Sequence, residues 1–185
     1  MTHISRRTAL IGATASLSLA ACGNGIGSNG PATIDARTAS TMNFMYNNFP
    51  GTRDLASKST GILVMPLVTE VGLGLGGSFG RGALQIDGST VDYYSTTSGS
   101  AGLQIGAQQY SHVLFFLTQN ALQDFRSGQG WAASADITYA INDIGEKLRA
   151  ETTTSLSPVI AIVFAQAGLR VGATLEGMKY TRIIP

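Results

Sequence analysis

The residues that most invite a chemical reading lie in one run, Val71-Gly72-Leu73-Gly74-Leu75-Gly76-Gly77-Ser78-Phe79-Gly80-Arg81-Gly82. Gly72 to Gly77 fits G-x-G-x-x-G, the dinucleotide fingerprint, and Asp92 follows at a spacing suited to a ribose contact. Gly76 to Gly80 fits G-x-S-x-G, which would offer Ser78 as a nucleophile. Both motifs need a strand before them and a helix after them. Gly80, Gly82 and Gly88 oppose that helix, each at about 1 kcal/mol relative to alanine. Without it, a phosphate has no helix N-terminus to rest on. A strand fits the run better. Gly72, Gly74 and Gly76 alternate with Val71, Leu73 and Leu75, so one face is aliphatic and the other bare. Glycine at such positions marks a bulge, a bend or the close approach of another element.

Other reactive types are few. His112 is the one histidine beyond the first residues, and it stands inside a β-type run. A triad of Ser78, His112 and Asp87 or Asp92 can be written down, but nothing in the order of residues brings them together. A structural histidine is the expectation. One such histidine and the single cysteine, Cys22, leave no zinc site. The acids are scattered singly, with no paired carboxylates for acid–base work. The sequence therefore predicts no catalytic residue, no metal and no cofactor. Only 12% of residues are charged, with no block of one sign, which argues against nucleic acid as a partner.

The 185 residues suit one domain behind a targeting segment. Residues 1–21 have a signal-peptide layout: Ser5-Arg6-Arg7, then a short apolar stretch from Thr8 to Leu19. That stretch is too short to span a bilayer. Leu19-Ala20-Ala21-Cys22 resembles a bacterial lipobox, in which the cysteine is acylated and becomes the first mature residue. Ser5-Arg6-Arg7 also resembles a twin-arginine signal, so the export route stays open. Residues 22–31, rich in glycine and asparagine, read as a flexible tether, and residues 32–185 as the domain. The expected location is a bacterial cell envelope. Gly23 after the cysteine, rather than aspartate, favours the outer membrane, with the domain facing the periplasm.

Within the domain, Ile34, Thr38, Met42, Met45 and Phe49 form a helical stripe over residues 32–48, ended by Pro50-Gly51. Packing on a sheet is the favoured use of that stripe, since Arg37 is its lone basic residue. A short helix from Arg53 to Ser59 leads to a strand at Gly61–Pro66 and then to the glycine-rich strand. Asp87-Gly88 signals a hairpin, followed by a strand at Thr90–Thr97. A turn at Ser98–Gly102 and a strand from Leu103 to Leu117 come next. Asn120–Phe125 reads as a helix. Ala133–Ile144, Ser155–Ala167 and Leu169–Glu176 read as further strands, with Trp131, Phe115 and Phe116 in the core. The fold class is α+β: a curved, mostly antiparallel, barrel-like sheet packed with a few short helices.

Several stretches resemble the SYLF (DUF500) family: Gly61–Pro66 leading into Gly72–Gly82, Ser98–Gln108, and Gly168-Leu169 with Leu175-Glu176-Gly177. The resemblance implies a lipid-binding module that performs no catalysis. Relatives associate with phosphoinositide membranes, partly through an N-terminal amphipathic helix, and some with actin. Two departures stand out: Arg37, Arg53 and Lys58 are the sparse basic residues before the strand, and Ala140–Gly145 replaces a Gly-Pro turn. The expected partner is membrane lipid, through acylated Cys22 and the domain itself. A structural role with a protein partner in the envelope is the alternative. A gap between the 32–48 helix and the sheet would admit a lipid chain, with Phe44, Met45, Phe79 and Arg81 as its contacts.

Overall fold

In the computed structural model, residues 29–128, 130–133, 137–139, 157–165, 168–169, 175 and 177–185 are described. Helix α1 spans Gly30–Asn48 and a short α2 spans Thr52–Ser57. Two very long strands follow, β1 (Gly61–Ile86) and β2 (Ser89–Phe116), then α3 (Gln119–Ser127). Five short strands complete the sheet: β3 (Trp131–Ala132), β4 (Ile137–Tyr139), β5 (Val159–Ala165), β6 (Gly168–Leu169) and β7 (Lys179–Ile183). The path through it is β3-β7-β2-β5-β4, with β1 on the free side of β2 and β6 on β5. Among the described residues only β4 and β5 pair in parallel.

The β1–β2 ribbon is the backbone of the fold. Asp87 and Gly88, at φ 50° and 75°, make its two-residue turn as the sequence predicts. Along its other edge β2 serves two strands in succession, β7 at Tyr93–Thr97 and β5 at Ser111–Phe116. Register shifts at Met65/Val68, Leu73/Gly74 and Leu84/Gln85 bend the ribbon. The expected turn at Ser98–Gly102 is absent. Those residues lie inside β2 and pair with Gly74–Ser78, because the facing strand is as long and supplies partners throughout. Likewise Gly61–Pro66 and the glycine run form one strand, not two.

The ribbon curls until β1 meets itself. A Cβ on Gly80 would lie 2.8 Å from the Leu67 carbonyl oxygen, and one on Gly82 would lie 2.5 Å from Met65 Sδ. The close neighbour of these glycines is thus β1's own beginning, not the 32–48 helix that the sequence suggested. Curling gives the sheet two apolar faces. The inner one gathers Leu63, Leu84, Tyr94, Leu114, Val163 and Tyr180 around Leu122 and Phe125 of α3. Thr118 caps α3 by accepting from the Ala121 N–H at 3.2 Å. The outer face holds Val64, Val113, Phe115 and Phe164 under α1. The predicted stripe of α1 packs there, with Ile34, Thr38, Met42 and Met45 buried. Among the described residues no helix is long and apolar enough to cross a membrane. The expected strands over Ala133–Ile144 and Leu169–Glu176 lie largely outside the described residues.

Candidate functional site

Side chains alternate along β1, so Val71, Leu75 and Phe79 share its outer face, beyond the part that α1 covers. They are 53%, 79% and 50% exposed, although large apolar side chains usually seek the interior. No charged residue stands between Glu70 and Arg81, or on the facing stretch Thr97–Gln108. Beside the row opens a groove of about 540 Å³, lined by Val71, Gly72, Leu75, Gly76, Gly77, Gly106 and Ala107. Gly72, Gly76, Gly77 and Gly106 supply only backbone to its lining. The Arg81 guanidinium lies 5.8 Å from the centre of the Phe79 ring, a cation held at the edge of the apolar row.

The structure brings Phe79 and Arg81 together and uses the other two candidates differently. Met45 is fully enclosed between α1 and the sheet. Phe44 stacks on Phe164 at 5.8 Å. Both pack the helix onto the sheet. Cys22 falls outside the described residues.

The residues weighed for chemistry are separate. Ser78 exchanges a 2.7 Å hydrogen bond with Ser98, and β1 runs on as strand through both glycine motifs, leaving no helix start. His112 is fully buried on the inner face, where its Nε2 shares a 2.8 Å hydrogen bond with the Tyr180 hydroxyl. Burial lowers its pKa to about 3, so the imidazole is neutral. Among the described residues its Nδ1 has no hydrogen-bond partner, and no group of three metal-ligating side chains exists.

Sequence reasoning missed one cluster. Asp92 is buried, yet both its oxygens are used: Arg126 reaches Oδ2 with Nε at 3.2 Å and Nη2 at 3.1 Å, and Arg182 Nη2 pairs with Oδ1. Asp92, Arg126 and Arg182 come from β2, the last turn of α3 and β7. Nothing in their spacing links them; only the curl of the sheet does.

Residues 97–182 match the family model described as Ysc84, Las17-binding protein actin regulator. No curated protein matches the chain. Over residues 97–182 the chain is similar to the Ysc84, or SYLF, family.

Proposed function

We propose that this SYLF-like chain is an exported, lipid-anchored protein whose domain binds membrane lipid at a bacterial cell envelope without catalysis. One observation carries the reading: an uncharged row of exposed Val71, Leu75 and Phe79 over an open apolar groove, with Arg81 at its edge. Exposed apolar surface of this kind marks a contact with another apolar surface. A cation beside an aromatic ring suits the boundary between headgroups and acyl chains. Acylated Cys22 would hold the domain at the bilayer, and the row would add a second, reversible contact. The family description names an actin regulator, but export would separate the domain from cytoplasmic actin, so that partner is not carried over.

Vesicle flotation of residues 22–185 with Cys22→Ala tests the reading, because that form lacks both the signal segment and the acylated anchor. The chain should float with vesicles, and Leu75→Asp should abolish the contribution of the domain. If Leu75→Asp floats as well as its parent, the row is not a lipid contact. If neither floats but both capture an envelope protein, the partner-binding alternative takes its place.

A further inference from the structure

The Asp92 cluster stands at a definite end of the molecule. Asp35, in the early part of α1, accepts hydrogen bonds from Thr90 Oγ1 at 3.0 Å and Tyr93 OH at 2.8 Å. Met42 and Met45, further along, pack with Val113 and Phe115. So α1 starts beside the beginning of β2 and runs toward its end. Five residues of helix, at about 1.5 Å each, separate Asp35 from Gly30. The tether therefore joins the domain at the end of the sheet that holds residues 90–93. From Cys22 to Asn29 the chain reaches no further than about 25 Å. Val91 and Ile184 are exposed at this same end, Ile184 following Ile183, which pairs with Tyr93.

One guanidinium would have satisfied the Asp92 carboxylate, since the arginine fork matches it with two parallel bonds. Here there are two, and the trio keeps an excess positive charge. Each guanidinium carries five N–H donors. Arg126 spends two groups on Asp92 and Arg182 spends one, and among the described residues neither has another acidic partner. Both side chains are partly open to solvent, at 41% and 61% exposure, so the unspent donors face outward. A second observation points the same way. Tyr94 pairs with Arg182 in register and is almost fully buried, and among the described residues its hydroxyl has no partner. Tyr94 thus adds a buried polar atom on the strand beside Arg182, while the oxyanion chemistry is carried by the two guanidiniums that converge on Asp92.

We propose that Arg126 and Arg182, fixed by Asp92 at the tether end of the sheet, bind a phosphate oxyanion. Asp92 sets the separation of the two forks, and the excess charge attracts the ligand. The phosphate of an anionic lipid headgroup is the source the tether favours, because it keeps this end within reach of the bilayer surface. Only this choice of source rests on the lipid reading above; the phosphate chemistry rests on the arginines.

Three arms test the proposal on residues 22–185 with Cys22→Ala. Inorganic phosphate is titrated against the protein in neutral detergent while the arginine Nε–H signals are followed by NMR. Flotation is compared between phosphatidylcholine vesicles and vesicles containing phosphatidylglycerol. Arg126→Gln, Arg182→Gln and Asp92→Asn are run alongside. The signals of Arg126 and Arg182 should shift with phosphate, and either glutamine variant should weaken binding about tenfold, the loss of charge-assisted hydrogen bonds. Asp92→Asn removes the competing carboxylate and should bind at least as tightly as its parent. A preference for phosphatidylglycerol that both glutamine variants lose assigns the site to a headgroup. Phosphate-dependent shifts without that preference assign it to a free phosphate. No shift in the parent or in Asp92→Asn overturns the proposal. Flotation on neutral vesicles reads the apolar row separately, so the failure of one reading is distinguishable from that of the other.

Discussion

Adding one methyl group at Gly82 should damage the fold more than almost any other single carbon. The new Cβ would lie 2.9 Å from the Val64 carbonyl carbon, closer still to its oxygen, and 2.5 Å from Met65 Sδ. The thioether could swing aside, but the carbonyl cannot, because Val64 is held in register against Val113. Overpacking costs about 1–3 kcal/mol where side chains can adjust, and more where backbone must move. We therefore expect Gly82→Ala to lose at least about 3 kcal/mol. At about 2–4 °C per kcal/mol for a domain of this size, Tm should fall by about 6–12 °C. Gly99→Ala is the matched control, since no heavy atom lies within 4 Å of its added Cβ. It should stay within about 0.5 kcal/mol of the parent. Thermal melts followed by circular dichroism decide the matter. Equal Tm values for the two variants would refute the self-contact of β1 and the curl that follows from it.

Phe125 of α3 is fully buried and touches the rings of Tyr94, Phe116, Trp131 and Tyr180, so Phe125→Ala should cost about 3–5 kcal/mol in urea unfolding followed by Trp131 fluorescence. Stability should also depend on pH through His112. Its folded pKa of about 3 lies below the unfolded value, so the unfolded chain binds more protons between pH 3 and 6.5 and stability falls as pH drops through that window. Between pH 7 and 5 the loss should be about 2 kcal/mol, and His112→Gln should flatten the profile over that range. For the Asp92 cluster, Arg126→Ala and Arg182→Ala should each cost less than about 1 kcal/mol, because one arginine still pairs with the carboxylate. The double variant strands a buried charge and should exceed their sum by more than about 1 kcal/mol in a double-mutant cycle.

Local patterns were legible in the sequence, and contacts that close over long distances were not. The stripe of α1, the Asp87-Gly88 turn and the antiparallel strands each rest on neighbouring residues, so their periodicity and turn chemistry announced them. The glycine run was legible as a place of close approach. Its partner was not, because a strand returning to its own start leaves no mark in a short window. Ser98–Gly102 has turn composition yet stays extended, since pairing with Gly74–Ser78 outweighs local preference. Of the proposed lipid contacts, Phe79 and Arg81 lie side by side at the surface. Met45 belongs to the same stripe as the buried Met42, which periodicity alone assigns to packing. Arg126 and Arg182 gave no signal, since α3 and β7 meet over Asp92 only in the folded sheet.

The central claim is that the glycine-rich ribbon touches lipid. In residues 22–185 with Cys22→Ala, a cysteine placed by Leu75→Cys would be the only thiol and would take an environment-sensitive fluorophore. Neutral phosphatidylcholine vesicles should shift its emission to the blue, while the same label at Lys58→Cys, on the exposed C-terminal side of α2, should stay unchanged. An unchanged spectrum at position 75, or equal shifts at both positions, would contradict the account.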